Sequence, residues 1–185
     1  MAKQDLTPAA GGVDWKYSKM AVLLHWTIAL LIAVLLGLGW TMMAIEDDPG
    51  SKWYFDLHKS LGLLVLALIV LRIVWRLTHR PAPLPATLPR WQVKLSQWTQ
   101  GALYLTMLAM PLLGLVGASF SKKGVAFFGL PLPSWAVPNH DTAEQFFDLH
   151  GTLAWALVAL VALHAIGGLK HLWVDKDNVF QRMGW

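Results

Sequence analysis

The 185-residue sequence contains no cysteine. This absence excludes disulfides, cysteine-ligated iron–sulfur clusters, zinc–thiolate centres and covalent haem attachment through a C-x-x-C-H motif. Charged residues are also scarce, at 14% of the chain, whereas 56% of the residues are hydrophobic and the mean hydropathy is +0.47. The lipid bilayer is therefore the first solvent to consider, and any metal centre must depend on histidine.

The chain carries 15 basic and 11 acidic residues, so it has a formal net charge of +4. A basic surplus can indicate nucleic-acid binding when the basic side chains form a stripe with interleaved aromatic residues. Here the basic residues lie between apolar runs and form no such stripe. We therefore expect no nucleic-acid partner.

Four apolar runs cover residues 20–45, 55–77, 95–120 and 146–174. Each is long enough to supply the ~20 residues that a membrane-spanning helix needs. The runs predict an all-α integral membrane four-helix bundle over 20–174, with polar tails at 1–19 and 175–185. The first tail lacks the apolar core of a cleaved signal. The loop at 78–89 carries four prolines and should be stiff, while the loop at 121–141 is rich in glycine and proline and should be irregular.

The distribution of lysine and arginine predicts the orientation of the chain. Four spans place both termini on the same side of the membrane. Eleven of the 15 basic residues lie in the first tail, around the second loop or near the C-terminus. Cytoplasmic flanks retain positive charge during insertion, so we expect both termini to be cytoplasmic.

Four of the seven histidines lie inside the apolar runs or at their ends. His150 and His164 are 14 residues apart, so a helix places them on nearly the same face and ~21 Å apart along its axis. His25 lies near the cytoplasmic start of the first run, at the depth of His164. His58 lies near the outer end of the second run, at the depth of His150. Depth therefore pairs His25 with His164 and His58 with His150.

Each pair can supply two axial nitrogens to one haem iron, which predicts two b-type haems inside the bundle. An iron with two protein ligands favours electron transfer over oxygen binding. Two alternatives remain open, separate interhelical hydrogen bonds and a transition-metal path. The second normally recruits carboxylates within the spans, and the runs contain none between their ends. His171 follows His164 on the same helical stripe and is a candidate contact for a quinone oxygen or a haem propionate, the alternative being an interfacial histidine without a ligand.

Several motifs carry a resemblance to a known family. They include L-H-W at 24–26, L-H-K-S-L-G at 57–62, R-I-V-W-R-L at 72–77, F-F-G-L-P-L-P at 127–133 and D-N-V-F-Q-R-M at 177–183. Over residues 17–185 the chain resembles the bacterial cytochrome b561 proteins.

The resemblance implies four helices in a bacterial inner membrane and two haem b groups. Their axial ligands match His25, His58, His150 and His164. One type in the family is similar to superoxide oxidase, which passes an electron from periplasmic superoxide through the haems to ubiquinone. His171 matches the histidine near that quinone. The chain departs from the pattern at Gln100, where the family often has histidine.

Three functions follow as hypotheses. The first is superoxide oxidation coupled to ubiquinone reduction. The second is a quinol-fed shuttle that reduces a soluble periplasmic protein. The outward segments carry four basic and seven acidic residues, a balance that disfavours steering of the superoxide anion and favours a basic protein partner. The third hypothesis is a membrane anchor without redox activity, and such a protein would be colourless.

Overall fold

The computed structural model describes residues 15–184, so residues 1–14 of the predicted N-terminal tail lie outside the described range. It contains four long helices: α1 (Lys19–Ala44), α2 (Ser51–Thr78), α3 (Arg90–Phe120) and α4 (His140–Lys170). All four are long and apolar enough to cross a membrane. The prediction of an all-α membrane bundle is confirmed.

Helices α3 and α4 begin several residues before their apolar runs. Pro89 precedes α3, and Asn139 caps α4 by accepting a hydrogen bond at its side-chain oxygen from the amide of Thr142 at 2.9 Å. Caps of this kind satisfy amides that have no partner within the helix. Both helices therefore start within the polar segments that precede their apolar runs. At its other end α4 passes into a π-helical turn, His171–Asp175, and a 3₁₀ turn follows at Phe180–Met183.

The buried core of the bundle is formed by aliphatic side chains. Ile69 of α2 is fully buried, whereas Leu30, Leu105 and Ile166 on the outward faces are 67%, 71% and 64% exposed. Such exposure suits lipid, which is as apolar as leucine. The buried cluster consists of Ile28, Ile32, Val65, Ile69, Leu103 and Leu157.

Helices α3 and α4 approach closely at Gly117. A Cβ atom there would lie 2.7 Å from Cε1 of Phe147 and 3.3 Å from the backbone oxygen of Ala143. We expect Gly117→Ala to lower stability by about 1–3 kcal/mol, because the added methyl forces the two helices apart. Thermal unfolding in detergent measures this as a lower Tm.

Gly101→Ala on the same helix is the matched control, since a Cβ atom at Gly101 meets nothing within 4 Å. Alanine favours the helix, so this control should keep or raise the Tm. Equal Tm values for the two variants would contradict the packing argument.

The connection between α3 and α4 is more regular than its sequence predicts. It contains an antiparallel hairpin, β1 (Ala126–Phe127) and β2 (Leu130–Pro131). Both turn residues have positive φ, 46° at Phe128 and 87° at Gly129, which matches the twist of a tight hairpin. The Phe128 amide donates to Ser60 Oγ at 2.9 Å. The hairpin is thereby anchored on α2 near its first turns.

At the end of the bundle opposite the hairpin, Arg182 links several segments of the chain. Its side chain is buried, and the residue is 3% exposed. Its guanidinium donates to the backbone oxygens of Trp15 and Ala82 and lies 4.5 Å from the Trp15 ring centroid. Burial lowers the pKa of this group, which stays cationic because arginine titrates far above neutral pH. Arg182 therefore connects the N-terminal segment, the proline loop and the C-terminal segment. We call the end of the bundle that contains Arg182 the inner end, and the end that contains the hairpin the outer end.

Candidate functional site

The inner histidine pair consists of His25 and His164. His25 lies in the second turn of α1, and His164 lies near the end of α4. Their ring centroids are 6.0 Å apart and their planes are 79° apart. His164 is exposed on α4, while His25 is half-buried. The structure therefore places these two rings close together on α1 and α4, with nearly perpendicular planes.

The outer pair consists of His58 on α2 and His150 on α4, with ring centroids 6.1 Å apart and planes 73° apart. Nδ1 of His150 lies 2.8 Å from the backbone oxygen of Met110. A carbonyl only accepts, so Nδ1 carries the proton and Nε2 keeps its lone pair. Nδ1 of His58 is buried without a hydrogen-bond partner in the described part of the chain.

These separations fit a haem iron between each pair. With a metal–nitrogen distance of ~2.0 Å and a ring centroid about 1 Å beyond each nitrogen, two axial imidazoles on one metal place their centroids roughly 6 Å apart. His150 forms an interhelical hydrogen bond from Nδ1 to the backbone oxygen of Met110, as the alternative of separate interhelical bonds favours, but this bond leaves Nε2 available. The free Nε2 of His150 and the unpartnered Nδ1 of His58 also suit a site that an added group completes.

Two glycines allow the outer histidines to lie against neighbouring helices. A Cβ atom at Gly114 of α3 would lie 3.2 Å from Nδ1 of His150. A Cβ atom at Gly39 of α1 would lie 3.5 Å from Cε1 of His58. Several other glycines lie in the apolar runs, and at Gly37, for example, an added Cβ atom would meet nothing within 4 Å.

A cavity adjoins the outer pair. Pro111 lines it from within α3, where a proline removes one helical amide donor. The lining is mostly apolar, as a flat hydrophobic macrocycle requires. It includes Leu36, His58, Gly62, Met110, Pro111 and His150.

His171 lies at the inner end, at the start of the π-helical turn. Its Nδ1 is 2.7 Å from Oδ2 of Asp177 and 3.4 Å from Oδ2 of Asp175. Lys170 pairs with Asp175 and supplies a cation for this cluster. The ring is half-buried, and the contact with Asp177 directs Nε2 away from that carboxylate. Asp177 is a partner of His171 that sequence reasoning did not identify.

Two arginines near the inner end have neutral partners. Arg72 donates from Nε to the Tyr104 hydroxyl at 3.2 Å and from Nη1 to the backbone oxygen of Ala21 at 3.0 Å. Arg76 donates to the side-chain oxygen of Gln100 at 3.2 Å. Gln100, the position that departs from the family pattern, is thus an acceptor for an arginine of α2.

At the outer end the lysines are partly neutralised. Lys52 and Lys59 both form ion pairs with Asp56, the second at 2.9 Å. Lys59 also donates to the backbone oxygen of Gly124 at 3.4 Å. The charge available to attract an anion there is smaller than the number of lysines indicates.

The two remaining histidines are exposed. His79 stacks on Trp75 with ring centroids 3.9 Å apart, and His140 lies 3.4 Å from Glu144. The structure brings neither of them to the two histidine pairs.

Comparison with known proteins identifies similar chains. A family model described as prokaryotic cytochrome b561 matches residues 16–185. "Cytochrome b561 homolog 2" of Escherichia coli (strain K12) is 30% identical over 173 residues, which is 91% of this chain and 90% of the relative. "Cytochrome b562" of Cereibacter sphaeroides is 30% identical, covering 90% of this chain and 94% of the relative. A Yersinia pestis protein named "Probable superoxide oxidase" is 28% identical, covering 91% and 95%.

Proposed function

Because the chain belongs to the prokaryotic cytochrome b561 family, and so is a multi-pass bacterial membrane protein that binds b-type haem, we propose that it carries electrons across the inner membrane through two haems. One haem lies between His25 and His164, and the other between His58 and His150. The observation that carries this proposal is the pair of ring separations, 6.0 Å and 6.1 Å, at two depths of one bundle.

Haem supplies a one-electron redox couple when bound. The four histidines would hold the two haem irons, two histidines to each, and would leave no open position for oxygen. The Met110 carbonyl fixes the tautomer of His150, which keeps Nε2 directed at the metal position. The mostly apolar lining of the cavity disfavours water at the outer site. These residues are arranged for electron transfer.

The inner end is proposed to face the cytoplasm. The excess of lysine and arginine in the segments at this end supports the assignment. Arg182 joins the N-terminal segment to the C-terminal segment, so both lie at the same end. With this orientation His58 and His150 would hold a haem near the periplasmic side, and His25 and His164 would hold one near the cytoplasmic side, within reach of the membrane quinone pool.

The reaction that we propose is oxidation of superoxide coupled to reduction of ubiquinone. Two superoxide anions each lose one electron and leave as O₂. Ubiquinone gains these two electrons and two protons and leaves as ubiquinol. His171 is the proposed contact for a quinone oxygen, held by Asp177 with Nε2 available. The relative named "Probable superoxide oxidase" supports this choice.

A quinol-fed shuttle is the second candidate, and the charges of the outer end favour it. Lys52 and Lys59 both pair with Asp56, and the outward segments have more acidic than basic residues. Such a surface attracts a basic protein and does little to steer superoxide. In this case ubiquinol would be the electron donor at the inner end, and the soluble protein would be the acceptor at the outer end.

Stopped-flow mixing of the oxidised protein with superoxide tests the choice. We expect reduced b-type bands to appear rapidly and to decay only when ubiquinone is present. Added salt should not slow the reaction, because the acidic excess of the outward segments repels the superoxide anion and salt screens that repulsion.

If the reduced bands do not appear with superoxide but do appear with ubiquinol, the quinol-fed shuttle is the function. A purified protein without haem bands would favour the membrane anchor and overturn the proposal. The variant His140→Ala, at an exposed position far from both pairs, should behave as the unmodified protein does.

A further inference from the structure

Arg72 and Arg76 are half-buried cations at the inner end. Their hydrogen-bond acceptors are Ala21, Tyr104 and Gln100, all of them neutral. Within residues 15–184, no carboxylate forms an ion pair with either guanidinium. The two charges are therefore held in place without a counter-ion from the described chain.

This arrangement is costly unless an anion is added. A half-buried charge in a membrane domain loses hydration, and neutral acceptors replace it only in part. The two arginines are also close together, because Arg72 donates to the Tyr104 hydroxyl and Arg76 lies 5.8 Å from the centroid of the same ring. A small cavity lies beside them, lined by both arginines and Tyr104. The geometry fits an oxyanion that the chain does not itself supply.

Arg72 also lies next to the inner histidine pair. It donates to the backbone oxygen of Ala21, one helical turn before His25. Haem carries two carboxylates on one edge of the ring. Charged carboxylates avoid the hydrocarbon core, so the edge of a haem held by His25 and His164 turns toward the nearer water, at the inner end. Arg72 lies between the inner histidine pair and the inner end.

We propose that Arg72, supported by Arg76, is the counter-ion for a carboxylate of the haem bound between His25 and His164. The inference rests on the proposed function, because it requires the inner haem. The Tyr104 hydroxyl and the Ala21 carbonyl hold the guanidinium in place, so little side-chain freedom is lost when the carboxylate arrives.

The proposed pairing of Arg72 with a haem carboxylate predicts how the midpoint potential of the inner haem depends on pH. A carboxylate beside Arg72 stays ionised between about pH 5 and pH 8. In Arg72→Gln the pKa of that carboxylate rises into this interval. Its deprotonation then adds negative charge near the iron and stabilises the oxidised state. The midpoint potential of the inner haem should therefore fall as pH rises in Arg72→Gln and stay nearly constant in the unmodified protein.

Other titratable groups near the site can also make the potential depend on pH. Their contribution has to be distinguished from that of the carboxylate. Histidine titrates in the same interval, so the measurement is repeated in an Arg72→Gln, His79→Gln double variant. The charged or titratable neighbours are Tyr17 and His25 toward α1, Arg76 and His79 from α2, Tyr104 from α3, His164 from α4 and Arg182 from the C-terminal segment.

The experiment is an optical redox titration of the holoprotein at several pH values. We expect Arg72→Gln to lower the inner potential, leave the outer potential unchanged and introduce the pH dependence, which persists in the double variant. Arg72→Lys retains the charge and should restore a potential that is nearly independent of pH. Arg80→Gln, at an exposed arginine, is the matched control and should match the unmodified protein.

Two results would overturn the inference while both haems remain bound. The first is an inner potential in Arg72→Gln with the same pH profile as in the unmodified protein. The second is an anionic phospholipid, detected by native mass spectrometry, that the unmodified protein retains and Arg72→Gln loses, which would make the ligand a lipid phosphate. Absence of two haems from the unmodified protein would instead be a failure of the proposed function.

Discussion

His164→Ala is expected to remove the inner haem and to leave the outer haem bound. His164 and His25 face each other with ring centroids 6.0 Å apart, so removal of either leaves one axial ligand for that iron. His25→Ala should therefore give the same spectrum as His164→Ala. His58→Ala and His150→Ala should share a second spectrum that lacks the outer haem. The effect is large because a metal–ligand bond is lost.

The haem content of each purified variant, measured as the pyridine haemochromogen, tests this expectation. It should fall from two haems to one per chain, and the remaining potential identifies which haem is lost. His140→Ala is the matched control because His140 is exposed and lies outside both pairs. Loss of the same haem from His25→Ala and His58→Ala would contradict the pairing.

Gly114→Val is the second change with a large expected effect, and it acts on the outer haem alone. Its Cβ atom would lie 3.2 Å from Nδ1 and 3.3 Å from Cε1 of His150. The ring must move, which weakens its hydrogen bond to the Met110 carbonyl and shifts Nε2. Overpacking costs about 1–3 kcal/mol, so affinity for the outer haem should fall by roughly ten- to a hundredfold.

Transfer of haem to excess apomyoglobin measures this loss as a faster rate from one of the two sites. Gly101→Val on the same helix is the control, because a Cβ atom at Gly101 meets nothing within 4 Å. Equal haem loss from the two variants, or loss of the inner haem from Gly114→Val, would show that Gly114 does not determine the position of the His150 ring.

Much of the fold is readable from the apolar runs, because a bilayer requires spans of a certain length whose backbone groups are paired internally. The histidine pairs could also be grouped from sequence. The 14 residues between His150 and His164 determine their shared face on α4, and the depths of His25 and His58 follow from the lengths of the runs. The structure brings together the same pairs.

Other features depend on contacts between distant residues. The rotation of α3 about its axis, which the sequence does not specify, decides that Gly114 lies on His150. The hairpin at the outer end forms because Phe128 bonds to Ser60 of α2, 68 positions earlier. No local pattern predicts that Lys52 and Lys59 share Asp56 and so reduce the positive charge of the outer end.

The sequence by itself determined four spans, the lack of any thiolate chemistry and four histidines at two depths, because these depend on composition and on helical spacing along one chain. Only the tertiary structure decided which neutral atoms hold Arg72 and how Arg182 joins the inner segments. Those partners lie on different helices and termini, as the bond from Arg182 to Trp15, 167 positions away, illustrates. Packing between helices selects such partners, and periodicity within a single helix carries no information about them.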